Sequence, residues 1–107
     1  MNQITDETFQ QEVGTGVVLV DFYADWCGPC RAASPAIEQI ANDYAGKAKV
    51  VKHNIDTGGS RYAVENGVRG IPNFCVFKDG VRVNQFVGWS DSVEKEIRAA
   101  LDEALTS

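Results

Sequence analysis

No stretch of this 107-residue sequence is long and apolar enough to cross a membrane; the longest unbroken apolar run, Gly16 to Val20, falls far short of a span. Residues 1–21 carry no basic segment followed by an apolar block, so no secretory leader is expected. Basic residues are scarce as well. Ten Lys and Arg face fifteen Asp and Glu, a formal net charge of −5, the reverse of the basic face that nucleic acid requires. Cysteine is limited to three residues, and an odd count without a leader does not suit a secreted disulfide framework. Repeats, low-complexity tracts and linkers are missing, so residues 1–107 are expected to form a single domain. What the chain does have is material for a core: 44% apolar residues against 23% charged excludes disorder. The expectation is a soluble, cytoplasmic monomer that binds neither nucleic acid nor membrane.

Local patterns then divide the chain. Thr5 is positioned to cap a short helix running to about Val13, with Asp6 and Glu7 in its first turn. Val17 to Tyr23 is a nearly continuous β-branched and aromatic run, the pattern of a strand buried on both faces. After Cys27-Gly28-Pro29-Cys30, apolar Ala33, Ala36, Ile37, Ile40, Ala41 and Tyr44 recur at helical spacing until Gly46, with Pro35 expected to bend the helix. Lys49 to Ile55 reads as the next strand, and Gly58-Gly59-Ser60 leads into a short helix ending at Gly67. Asn73–Lys78 and Val81–Val87 flank Asp79-Gly80, a strong hairpin signal. Asp91 to Glu94 fits a capping box with Asp91 as cap, and Val93, Ile97, Ala100, Leu101, Ala104 and Leu105 form the apolar stripe of the last helix. Strands alternating with helices imply parallel pairing and the hairpin adds antiparallel strands. The expected class is α/β, with a mixed central sheet and helices on both faces.

Cys27 and Cys30 have a spacing that serves either thiol redox chemistry or a metal. Their position is more informative than the spacing, because a buried strand ends there and an amphipathic helix begins. Amide hydrogens in the first turn of a helix lack partners, so a thiolate is stabilised there and Cys27 is expected to have a depressed pKa and to be the attacking sulfur. Residues three apart share a helix face about 5–6 Å apart, within the reach of a disulfide. Pro29 suits the first turn because its missing N–H has no partner to lose. A zinc site made by Cys27, Cys30, His53 and Cys75 is the competing reading.

Trp26-Cys27-Gly28-Pro29-Cys30 resembles the active-site turn of the thioredoxin family. The resemblance extends over essentially the whole chain, through Val20-Asp21-Phe22, Asn54-Ile55-Asp56, Arg69-Gly70-Ile71-Pro72, Phe77-Lys78-Asp79-Gly80 and Val87-Gly88. It implies a thioredoxin fold, with about five strands in a mixed sheet flanked by four helices. It also implies a dithiol–disulfide oxidoreductase that reduces protein disulfides through a redox-active Cys27–Cys30 pair. Cys30 is then the resolving thiol. Asp21, costly to bury when charged, is its general acid/base through water, with a pKa raised by desolvation. Lys52 matches a lysine that tunes that aspartate, whereas His53 matches no functional residue and is read as structural. Ile71-Pro72 matches a loop facing the disulfide, with a cis proline peptide and an Ile71 backbone that pairs with extended substrate. Trp26, Gly28, Pro29, Val87 and Gly88 match the flat apolar face that receives substrates.

The electrons stay in the side chains, so neither a bound cofactor nor a metal is expected. The implied partners are disulfide-containing proteins and a thioredoxin reductase, a flavoprotein drawing on NADPH or ferredoxin. An oxidant or isomerase on the same fold, or a binding subunit, are the alternatives; the Gly28-Pro29 pair and the intact cysteines count against them. Several positions depart from the family's pattern. Tyr23 stands where a second tryptophan is common, Arg31 replaces a lysine and Asn73 a threonine. Trp89 occupies a position where a small residue is frequent; exposed there, it is expected to enlarge the binding face and bias partner choice. Cys75, among Phe74, Val76 and Phe77, is expected to be a buried structural thiol rather than a regulatory one.

Overall fold

The computed structural model describes residues 1–107. In chain order the elements are β1 (Asn2–Ile4), α1 (Phe9–Val13), β2 (Val17–Tyr23), α2 (Gly28–Asp43), β3 (Lys49–Asn54), α3 (Arg61–Glu65), β4 (Asn73–Lys78), β5 (Val81–Val87) and α4 (Asp91–Thr106). One five-stranded sheet has the order β1-β3-β2-β4-β5. β1 and β2 each pair parallel with β3, while β4 pairs antiparallel with β2 and β5 antiparallel with β4. This is the expected mixed sheet with four helices. None of those helices is long and apolar enough to cross a membrane.

β2 takes the centre because both of its faces are apolar, and every residue from Val17 to Phe22 is buried. Val17 and Leu19 enter a core with Ile37 and Ile40 of α2, Phe74 of β4, and Ile97 and Leu101 of α4. Val18, Val20 and Phe22 enter the opposite core with Phe9 of α1, Tyr62 of α3, and Cys75. The stripes expected on α2 and α4 are the faces that pack, and α2 runs unbroken through Pro35 to Asp43.

Two turns fix the frame. Asp79 and Gly80 both adopt positive φ, 49° and 86°, as the two-residue hairpin turn requires. Asp79 is also held from outside the hairpin, since the Gly16 N–H donates to its Oδ1 at 2.8 Å and its own N–H donates to the Gly16 carbonyl at 2.9 Å. β3 stops at Asn54, one residue before the expected Ile55, because Asn54 Oδ1 accepts from the Asp56 and Thr57 amides and turns the chain.

Edge strand β1 is not among the expected elements because it carries no alternation to read, with one buried residue in three. Two expectations need correction. α1 starts at Phe9 rather than near Thr5. The Thr5 hydroxyl accepts from the Glu7 amide in a separate turn, and the Asp6 carboxylate accepts from the Arg61 and Tyr62 amides, serving the start of α3 rather than its own helix. Finally, α4 is capped by Ser90, whose Oγ accepts from the Val93 amide at 3.1 Å, and Asp91 is already helical. Ser90→Ala is therefore expected to lower stability by about 1 kcal/mol. Asp91→Ala removes only its interaction with the helix dipole and has the smaller effect. Urea unfolding of the two variants ranks them; the reverse order returns the cap to Asp91.

Candidate active site

The central strand β2 ends at Tyr23 and α2 starts at Gly28, so the Cys27-to-Cys30 turn lies between a buried strand and a long helix. Cys27 is the N-cap of α2 in extended conformation (φ −87°, ψ 109°), and its Sγ accepts from the Cys30 N–H at 3.2 Å. Pro29 occupies the first turn, where no amide hydrogen is lost. A disulfide joins Cys27 to Cys30 across 5.3 Å between Cα atoms. Both residues are nearly inaccessible, yet their surroundings differ. Cys27 Sγ lies 3.8 Å from the Ile71 carbonyl oxygen, while Cys30 lines a cleft behind the disulfide.

That cleft, about 220 Å³, is also lined by Asp21, Tyr23, Asp25, Arg31 and Lys52. It is roomy and polar enough for water to connect Asp21 with Cys30. Asp21 is 3% exposed in the central strand, and its Oδ1 has no hydrogen-bond partner. Burial pushes its pKa up to about 7, with the nearby Lys52 charge acting in the opposite direction. Lys52 is in register with Asp21 on β3. Its ammonium lies 4.4 Å from the centre of the Tyr23 ring.

On the outer side the Ile71-Pro72 peptide is cis and faces the disulfide. The Ile71 N–H and C=O take part in no backbone hydrogen bond, which leaves an edge for an extended chain. Trp26 is 68% exposed, with its indole N–H donating to Asp56 Oδ2 at 2.8 Å. Gly28 and Pro29 are exposed beside it, and Val87 and Gly88 stand at the end of β5, with Val87 in register with Asn73. Trp89 differs from expectation. It is half-buried, its ring meets Phe74 edge-on at 5.9 Å, and it packs on the core under α2 and α4. Gly88, at φ 84°, allows the turn after which Trp89 packs inward.

Asn73, directly after the cis proline, is 1% exposed. Its Oδ1 accepts from Gln85 Nε2 at 3.1 Å, while its Nδ2 has no partner. Cys75 is fully buried among the apolar residues under α1 and α3, and burial pushes its thiol up to about 11. His53 packs against Phe9 and Phe22 on that same side, with Nε2 2.7 Å from the Gly59 carbonyl. The four zinc-ligand candidates therefore do not converge, and no three His, Cys, Asp or Glu side chains form a metal-binding group.

Sequence reasoning missed the supports around these residues. Asp56 tethers Trp26, Asn54 shapes the Asp56 turn, and Arg31 donates to the Asp25 carbonyl at 2.7 Å. Asn54-Ile55-Asp56 was visible as a pattern, but the bond from Asp56 to Trp26 spans thirty positions and has no local signature.

Burial raises the folded-state pKa of Asp21 while an unburied aspartate titrates near 3.8, so the folded protein keeps this proton where the unfolded chain has lost it. Its contribution to stability is intact below about pH 4 and declines as pH rises towards 7. Asp21→Asn is expected to stabilise the oxidised protein little at pH 4 and by at most about 4 kcal/mol at pH 8. Urea unfolding at the two pH values tests this; a gain independent of pH refutes it.

A protein-family model described as Thioredoxin matches residues 1–103. Thioredoxin 1 of Nostoc sp. (strain PCC 7120 / SAG 25.82 / UTEX 2576) is 49% identical over 88 residues, covering 80% of this chain and 81% of its own. Thioredoxin of Pyropia yezoensis is 47% identical over 90 residues, covering 82% and 83%. Thioredoxin of Staphylococcus haemolyticus (strain JCSC1435) is 40% identical over 103 residues, covering 96% of both chains.

Proposed function

This chain belongs to the thioredoxin family and is a thiol–disulfide oxidoreductase that reduces protein disulfides, and from that premise we propose that Cys27 is its attacking sulfur and Cys30 the resolving one. The observation that carries the assignment is the Cys30 amide directed at Cys27 Sγ across 3.2 Å. A hydrogen bond to a sulfur at a helix N-terminus stabilises negative charge there, and only Cys27 receives one.

In the reduced protein the Cys27 thiolate attacks one sulfur of a target disulfide. The target S–S bond breaks, its second sulfur leaves as a thiolate and takes a proton from water, and a mixed disulfide forms. Cys30 then loses its proton to the Asp21 carboxylate through water in the cleft and attacks Cys27 Sγ. The mixed disulfide breaks, the released target thiolate is protonated, and the Cys27–Cys30 disulfide remains. Two electrons and two protons pass to the target. Asp21 suits the task because a group titrating near neutrality both accepts and returns a proton. Lys52 offsets part of the effect of burial on it.

The substrate face in this proposal comprises Trp26, Gly28, Pro29, Ile71, Pro72, Val87, Gly88 and the outer edge of Trp89. Its support is the free Ile71 backbone beside exposed apolar surface. The family is recycled by thioredoxin reductase; we assign this chain a flavoprotein reductase drawing on NADPH or ferredoxin, and a cytoplasmic location, where thiols are kept reduced. We read residues 1–107 as one domain, a reading supported by the span of the family match, and assign it a monomeric state.

Cys30→Ser is expected to accumulate a mixed disulfide with a disulfide-bonded protein, located at Cys27 by mass spectrometry, whereas Cys27→Ser forms none. Trapping through Cys30 instead reverses the two roles. The reduction potential of the pair is expected near about −270 mV; equilibration against a dithiol buffer that gives about −120 to −180 mV moves the chain to the oxidant or isomerase class. Asp21→Asn is expected to slow release of the mixed disulfide and to remove the pH dependence of that step near neutrality. Stopped-flow release rates of the variant that equal those of the unsubstituted protein at every pH eliminate Asp21 as the proton carrier.

A further inference from the structure

The inner cleft holds one arrangement that the exchange chemistry does not itself require. Gln3 of β1, Lys52 of β3 and Asp21 of β2 form a single row across three parallel strands. Tyr23, two residues beyond Asp21 and on the same face of β2, accepts a hydrogen bond at its hydroxyl from Gln3 Nε2. Its side chain therefore reaches from β2 across to β1, over the strand that carries Lys52. The Lys52 ammonium rests on the face of that ring, 4.4 Å from its centre. No carboxylate oxygen lies within ion-pair distance of Nζ, although Asp21 is its registered neighbour and leaves Oδ1 without a partner.

We propose that Tyr23 is a positioning residue for the proton transfer at Asp21: pinned by Gln3, its ring holds the Lys52 ammonium near the buried carboxylate but out of contact with it. The reason lies in competing attractions. A lysine opposite a buried carboxylate otherwise closes onto it, and a contact ion pair stabilises the charged form strongly. A carboxylate held charged in that way is a poor acceptor for the Cys30 proton. An aromatic face attracts the same ammonium by its quadrupole and lets the lysine stem pack along it. With the ring edge fixed by Gln3, the ammonium has a defined second resting place, and Asp21 feels its charge only from a distance. The other charged or titratable groups around the cleft are Asp25 from the turn after β2, and Cys30 and Arg31 from α2; β4 presents Phe74 beside Asp21. Arg31 is engaged with the Asp25 carbonyl, which leaves Lys52 as the cation that bears on Asp21.

The inference rests on Asp21 as the proton carrier for Cys30, but its test reads Asp21 directly. The carboxyl carbon of Asp21 is followed by NMR against pH in the oxidised, 13C-labelled protein. Tyr23→Leu is expected to lower its titration midpoint by about one unit as Lys52 closes onto it. Tyr23→Phe keeps the ring and stays closer to wild type. Gln3→Ala, on an exposed edge where the fold is not at risk, loosens the ring and shifts the midpoint the same way by less. Lys52→Met raises the midpoint, and adding Tyr23→Leu in that background leaves it unmoved. An unchanged or raised midpoint in both Tyr23→Leu and Gln3→Ala overturns the inference. So does an equal fall in the Lys52→Met background, which makes Tyr23 a mere barrier to water. A midpoint that moves as expected while release rates in Asp21→Asn stay normal separates this coupling from the role assigned to Asp21.

Discussion

The amide hydrogens left unpaired where α2 begins are the feature around which the site is arranged. The Cys30 amide points at Cys27 Sγ, the Cys27 amide donates to the Ala24 carbonyl, and Pro29 has no amide hydrogen to satisfy. Such a turn is useful only when held still. That need accounts for β2 at the centre of the sheet, buried from Val17 to Phe22, and for α2 anchored along Ala33, Ile37 and Ile40. Strand and helix pack into one core, so the sulfur between them has little freedom. The disulfide closes a geometry that the two elements already impose.

The same burial acts on a second group of the site. A strand apolar on both faces has no natural place for a carboxylate, and Asp21 is held there with one oxygen unpaired. Desolvation acts against its charge and Lys52 acts for it, and burial is the larger effect. The result is a carboxyl group whose pKa burial pushes up to about 7, lining the same cleft as Cys30. The two faces of the active turn thus differ in kind. The outer one is exposed and apolar around Trp26 and Val87, with the free Ile71 backbone between. The inner one is a small polar cleft.

Much of this was legible in sequence because the signals were short-range. The apolar run of β2, the stripes of α2 and α4 and the Asp79-Gly80 turn each depend on residues within a few positions of one another, and each formed as read. The cysteine spacing and the aspartate inside an apolar strand were equally local. The misread features share a different origin. Asp6 resembled a first-turn acid of its own helix but caps α3, more than fifty positions away. β1 contributes a single buried residue and exists because β3 offers it an edge. Trp89 turned inward because the face of Phe74 was there to receive it, which no neighbouring residue announces.

The sequence by itself determined the kinds of element, their order and the reactive turn, because helix periodicity, strand burial and capping are properties of neighbouring residues. It also determined that a carboxylate had to be accommodated inside a buried strand. Only the tertiary structure decided what that carboxylate meets: Lys52 beside it, Tyr23 beneath the ammonium, Gln3 fixing Tyr23, and a cleft opening to Cys30. Those four residues come from three strands and a helix, brought together by a parallel register that local pattern does not encode. Electrostatic tuning depends on distance and dielectric, and neither exists until the sheet has closed around them.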